Sequence, residues 1–222
     1  MAQASHNIAI DLDDMQVVGY EALSRFPGNT GGPDTWFAAA AHVGLEVDLE
    51  AHAIAYALRH LEDLPSPRFM AVNASAAALI RRGGLELLPT SSYDRIVVEL
   101  TEHERVEDYG AVGRAFAPLR ERGCRLAADD LGSGVANLKH LIRLQPDIIK
   151  LDIALIAGID ASSEQRALVR ALVSFVEEVG SRVIAEGVET ATELDVVRDL
   201  GVHWAQGFHL GRPAPLGGFD VG

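Results

Sequence analysis

Polar residues capable of chemistry stand at the downstream ends of successive apolar runs: Glu21, Asn73, Glu99, Asp129 with Asp130, Lys150 with Asp152, Glu186 and Gln206. If those runs are strands of one barrel, their downstream ends converge on one rim, where barrel enzymes carry their sites. Several carboxylates gathered there would repel one another unless protonated or neutralised by cations. Divalent metal answers that repulsion. A set of Asp, Glu and Asn oxygens suits Mg²⁺ or Mn²⁺ better than zinc, which prefers imidazole and thiolate.

Each residue also has a local reading. Asp129-Asp130 fits a turn, Asp152 an N-cap for Ile153–Ala157, and Glu186 through Glu189 a cap ahead of Thr190. Capping alone does not account for polar ends on nearly every later run. Lys150 reads either as a structural ion pair or as an ammonium holding water or a phosphate oxygen among carboxylates that keep it charged. Gly132-Ser133-Gly134 fits a simple turn or backbone N–H groups set near a phosphate. The eight histidines show no metal-ligand spacing, and His203 and His209 are read as structural.

The elements that must position these groups follow from periodicity. Ile8–Leu12 and Val17–Leu23 flank Asp13-Asp14 as a hairpin. Later strand candidates are Phe69–Asn73, Ile96–Leu100, Arg125–Asp129, Ile148–Leu151, Arg182–Ala185 and His203–Gln206. Helical patterns lie between them: Asp34 caps Thr35–Val43 before Gly44, and Asp108 precedes a run ending at Arg122-Gly123. Ser162 or Ser163 opens Glu164–Val179, and Thr190 opens Ala191–Leu200. Eight strands separated by helices predict an α/β fold, a (β/α)8 TIM-type barrel with one early antiparallel strand. A doubly wound open sheet is the competing architecture.

Composition sets outer limits. A chain of 222 residues with 48% hydrophobic content and no dividing linker is expected to form one domain over 1–222. A net charge of −13 argues against a DNA or RNA polymer as partner, though not against a small anion held through metal. No apolar stretch predicts a membrane span, and the start lacks the pattern of a secretory signal. The single Cys124, read as a buried inert thiol, fits a cytoplasmic protein.

Taken in order, Glu21-Ala22-Leu23, Asn73-Ala74-Ser75, Glu99-Leu100-Thr101-Glu102, Asp129 through Gly134, Lys150-Leu151-Asp152, Glu186 through Thr190, and Gln206-Gly207-Phe208 resemble the EAL-domain cyclic di-GMP phosphodiesterases over nearly the whole chain. The resemblance implies metal-dependent opening of cyclic di-GMP to linear pGpG, with two Mg²⁺ or Mn²⁺ ions, in a homodimer. It implies Glu21, Asn73, Glu99 and Asp129 as ligands of one ion, and Asp129 and Asp130 as ligands of the other. Lys150, Glu186 and Gln206 would serve the catalytic water, while Leu23 and Arg25 would meet the substrate, Arg25 at a phosphate. Glu102 would anchor the loop after Asp130, and Asp152 and Glu189 would support the ligands from behind.

Two segments depart from the family. Its usual Gln-Pro-Ile-Val corresponds to Asn7-Ile8-Ala9-Ile10, so a substrate-facing glutamine is shortened. Its Phe- and Ser-containing loop, which links the metals to the dimer interface, is replaced by Leu131 and Val135-Ala136-Asn137. The alternative function is therefore a catalytically weakened domain acting as a cyclic di-GMP receptor or protein-interaction module. An enolase-like enzyme with Lys150 as base is a third reading, but the chain has no room for a capping domain.

Overall fold

The computed structural model describes residues 3–26, 31–100, 108–131 and 138–216, with backbone alone at 3, 130, 131 and 138–140. Eight strands close a barrel in chain order: β1 (Gln3–Asp11), β2 (Val17–Arg25), β3 (Phe69–Ala74), β4 (Ile96–Leu100), β5 (Arg125–Leu131), β6 (Ile148–Leu151), β7 (Arg182–Ala185) and β8 (Trp204–Ala205). Closure excludes the open doubly wound sheet. β1 runs antiparallel to both β2 and β8, and every other neighbouring pair is parallel.

Connection length explains this arrangement. Between β1 and β2 the chain has only a tight turn, in which Asp13 N–H donates to Asp11 Oδ1 and Gln16 N–H to Asp14 Oδ1. Such a short link returns the chain antiparallel. Between the later strands lie α1 (Pro33–His42), α2 (Glu46–Leu58), α3 (Ala76–Arg82), α4 (Gly84–Leu87), α5 (Tyr109–Arg120), α6 (Leu138–Leu144), α7 (Ile153–Ile156), α8 (Ser163–Glu178) and α9 (Ala191–Asp199). These crossovers set consecutive strands parallel.

Most helix starts agree with their capping residues. Asp108 accepts from Ala111 N–H, Ser162 from Gln165 N–H, and Thr190 forms a capping box with Glu193. Asp34 does not cap α1. Gly32 occupies that position with Pro33 behind it, and Asp34 lies in the first turn. Proline is favoured there because its missing N–H would be unpaired anyway. Asp152 does cap α7, accepting from Ala154 N–H.

Strand alternation separates two apolar regions. Ala9, Phe69, Ala71, Val97, Ala127, Ile148, Ile184 and Trp204 fill the barrel interior. The alternate residues, such as Ile8, Met70, Val98, Ile149 and Val183, pack outward beneath the helices. Gly19 is glycine for close packing: a Cβ there would lie 2.4 Å from the Phe69 ring. Cys124 is buried, and burial pushes its thiol up to about 12, so it is inert as expected.

His6 on β1 is buried, and among the described residues neither ring nitrogen has a hydrogen-bond partner of good geometry. Burial holds its pKa below 6.5, assisted by His60 and opposed by its contact with Ala214. Its folded value lies below its unfolded one, so the unfolded chain binds the extra proton as pH falls past 6.5. The His6 contribution to stability therefore declines toward acid, with a limiting slope of about 1.4 kcal/mol per pH unit. His6→Leu is expected to flatten the decline between pH 7 and 5 in urea unfolding. Parallel wild-type and variant curves would contradict this.

Candidate active site

The period of two that fills the barrel also builds the site. Two residues above interior Ala71, Val97, Ala127, Ile148, Ile184 and Trp204 stand Asn73, Glu99, Asp129, Lys150, Glu186 and Gln206. Glu21 holds the corresponding place on β2, two residues after Gly19. These residues form one layer at the mouth formed by the C-terminal ends of the parallel strands.

Lys150 is its centre. The side chain is only 1% exposed, and Nζ lies 2.8 Å from Glu186 Oε1, 3.0 Å from Glu99 Oε2, 3.0 Å from Asp129 Oδ1 and 3.7 Å from Glu21 Oε1. Residues on β2, β4, β5 and β6, with Glu186 just after β7, thus meet at one nitrogen. Burial works against the charged amine, but Glu186, Glu21, Glu99 and Asp129 together raise its pKa well above the usual lysine value. The same crowding acts in reverse on the acids. Burial raises Glu99 well above the carboxylate range, against the opposing pull of Lys150. Glu186 is pushed up to about 7, chiefly by burial.

Two amides complete the layer. Gln206 Nε2 donates to Glu186 Oε1 at 2.6 Å and to Glu21 Oε2 at 3.1 Å. Asn7 Nδ2, on β1, donates to the same Glu21 Oε2 at 3.1 Å. Asn7 is the site residue that reading strand ends downstream overlooks. Because β1 is antiparallel, its residue at the mouth precedes interior Ala9 instead of following it. A second overlooked group is Glu50 of α2, whose carboxylate accepts from Ser75 N–H and, at 2.7 Å, from Ser75 Oγ–H. Ser75 in turn caps α3, so Glu50 ties the strand end bearing Asn73 to the helical layer.

The other predicted residues are placed as follows. Leu23 and Arg25 line a cavity of about 520 Å³ together with Phe37, Tyr56, Asn73 and Asp129. That volume suits a small-molecule ligand. Arg25 Nη1 meets the Ser24 carbonyl at 3.0 Å. Asp152 is engaged in its cap, and the Glu189 side chain is exposed, with its backbone N–H donating to Glu193. Among the described residues no hydrogen bond or ion pair joins either side chain to the Lys150 cluster: Asp152 points into the α7 N-terminus, and Glu189 is exposed in the turn before α9. Glu102, the Gly132-Ser133-Gly134 loop and residues 135–137 lie outside the described residues, as does the Asp130 side chain. His203 is structural, its Nδ1 accepting from Val183 N–H, while His209 is exposed.

Gly207 locks Gln206 in position. Its φ is +156°, and a Cβ there would lie 2.2 Å from the Val188 carbonyl oxygen. Val188 N–H also donates to the Gln206 carbonyl. Gly207→Ala must move one of these backbones and is expected to cost more than about 1 kcal/mol in denaturant unfolding. An unchanged midpoint would show that the segment yields freely.

Among the described residues, no three carboxylate, imidazole or thiolate groups are disposed to hold a metal ion. The carboxylates turn instead toward the ammonium. Their chemistry nonetheless fits a hard divalent cation: Glu21, Glu99, Asp129 and Asn73 supply oxygen donors alone, at a partly buried mouth.

Relatives share this architecture. A curated cyclic di-GMP phosphodiesterase, PA2567 of Pseudomonas aeruginosa, is 29% identical over 216 residues, covering 92% of this chain and 37% of its own. The probable cyclic di-GMP phosphodiesterase PdeA of Escherichia coli is 28% identical over 211 residues, covering 89% and 29%. The chain thus spans about a third of the length of the curated relatives it matches. Among solved structures, the manganese/cyclic di-GMP complex of Klebsiella pneumoniae BlrP1 superposes with a TM-score of 0.85 at 31% identity, over 96% of this chain and 56% of that one. The PaMucR phosphodiesterase in complex with cyclic di-GMP gives 0.83 at 27%, over 97% and 93%. The EAL domain model matches residues 9–213, and the chain belongs to that family.

Proposed function

We propose that this chain hydrolyses cyclic di-GMP to linear pGpG, using a pair of divalent cations at the barrel mouth. The observation that carries the reading is the convergence of four carboxylates, on or just after four strands, on one buried ammonium. Structural ion pairs match charges; a surplus of buried acid suggests a site made to receive more positive charge than Lys150 supplies. Names and bound ligands of the relatives support the substrate.

Glu21, Asn73, Glu99 and Asp129 would hold the first cation, and Asp129 with Asp130 the second. Bound there, Mg²⁺ or Mn²⁺ would supply electrostatic activation of water and of the phosphoryl oxygens. Asn73 contributes an oxygen without another charge. Lys150 would hold the attacking water or a phosphate oxygen through its ammonium. Glu186, pushed up to about 7 and fixed by Lys150 and Gln206, is suited to take the proton of that water. Attack on phosphorus breaks one ester, and the proton taken from the water passes from Glu186, through solvent, to the departing 3′ oxygen. Arg25 would grip a phosphate and Leu23 form the wall beside it, with Glu102 anchoring the loop after Asp130. A homodimer is part of the same reading.

Incubating the purified chain with cyclic di-GMP and Mg²⁺ or Mn²⁺, then separating nucleotides, should yield pGpG. Binding without product would assign a receptor and reject hydrolysis.

A further inference from the structure

The carboxylate of Glu21 is held asymmetrically. Oε2 accepts two amide hydrogen bonds, from Asn7 Nδ2 and Gln206 Nε2, each at 3.1 Å. Oε1 receives neither and faces the cluster centre, 3.7 Å from Lys150 Nζ. A carboxylate oxygen offers about two lone-pair directions, so two amide donors nearly saturate Oε2. Both donors come from the β1 side of Glu21: Asn7 is its direct cross-strand partner, and Gln206 follows β8 on the far side of β1. Together they fix the rotation of the carboxylate plane and commit one oxygen to the centre.

We propose that Asn7 is a positioning residue that turns Glu21 to present Oε1 alone to a cation. This rests on the reading of Glu21 as a metal ligand. It also revises what family resemblance implies for this strand position. The shortened side chain reaches across to its strand partner, and one amide N–H is spent on Glu21. Asn7→Gln would carry the amide one methylene further and still offer Glu21 an N–H donor.

Hydrogen-bond partners behind metal ligands orient them and raise their basicity, and losing one commonly costs about 10–100-fold in metal affinity. Asn7→Leu keeps the approximate volume and removes the donor, whereas Asn7→Gln keeps an amide. Mn²⁺ binding without substrate can be followed by the electron paramagnetic resonance signal of free Mn²⁺, alongside circular dichroism melts. Asn7→Leu is expected to weaken Mn²⁺ binding at least about tenfold, with Asn7→Gln recovering most of the loss. Should Asn7→Leu fail to fold, Asn7→Ser makes the same comparison with a side chain too short to reach.

Unchanged Mn²⁺ affinity in a folded Asn7→Leu or Asn7→Ser protein overturns the positioning role and leaves the metal reading intact. A Glu21→Gln control separates the two claims. If it binds Mn²⁺ as wild type does, or if wild type binds none, Glu21 is no ligand and the role of Asn7 falls with it.

Discussion

Lys150→Ala is expected to lower hydrolysis of cyclic di-GMP by at least about 10²–10³-fold while Mn²⁺ binding survives. The ammonium lies within 3.7 Å of carboxylate oxygens of Glu21, Glu99, Asp129 and Glu186, and all four keep their oxygens when it is removed. Metal ligands therefore remain, but the group that would hold water or a phosphate oxygen is gone. Stability should change in a diagnostic way. Stripping the cation from a buried ion cluster leaves like charges uncompensated, at a cost of about 3–5 kcal/mol in metal-free protein. Added Mn²⁺ should return much of that loss, because it restores positive charge to the same oxygens. Lowering the pH should also help, since protonation relieves the repulsion by another route. Turnover assays with melts in chelator and in Mn²⁺ test both parts. Retained turnover would remove the catalytic assignment, and a melt indifferent to Mn²⁺ would count against cation binding by the cluster.

The layer at the mouth was legible in the sequence because two periodicities coincide on parallel strands. Each of Asn73, Glu99, Asp129, Lys150, Glu186 and Gln206 lies two residues beyond an apolar residue that fills the barrel. A downstream polar end after an apolar run is thus a direct trace of strand direction. Asn7 escapes the same reading because β1 runs the other way, and its polar residue comes first. Nothing in its local sequence announces that it will meet Glu21; the hydrogen bond follows from cross-strand register. Glu50 escapes for a related reason, since it acts from a helix through Ser75 of another element. Asp152 and Glu189 show the converse. Family resemblance implies a supporting role for both; in the structure the Asp152 side chain caps a short helix and Glu189 is exposed. Helix caps were readable where a side chain supplied the acceptor, as at Asp108 and Thr190. At α1 the start is set by Gly32 and Pro33, which need no side-chain acceptor.

Asp129→Asn should separate function from stability most sharply. Asp129 touches Lys150 Nζ at 3.0 Å and also lines the cavity beside Arg25 and Asn73. It therefore joins the ion cluster to the space in which substrate would lie. Asparagine preserves its shape and one oxygen but removes the charge. In metal-free protein that is relief: four carboxylates around one ammonium become three, and the repulsion that helps raise Glu99 and Glu186 falls. The variant should melt at or slightly above the wild-type temperature in chelator. With Mn²⁺ present the order should reverse, because a weakened site gains less stabilisation from the same ion concentration. Hydrolysis should fall by about 10²–10³-fold if Asp129 serves both cations as proposed, because its charge is lost. A purely structural Asp129 predicts the opposite pattern, with lower stability in chelator and turnover reduced only in proportion to unfolding. Melts with and without Mn²⁺, set beside initial rates of pGpG formation, distinguish the two. Acid retained at a cost to the metal-free fold is what a cation-receiving mouth requires, and this substitution measures that cost directly.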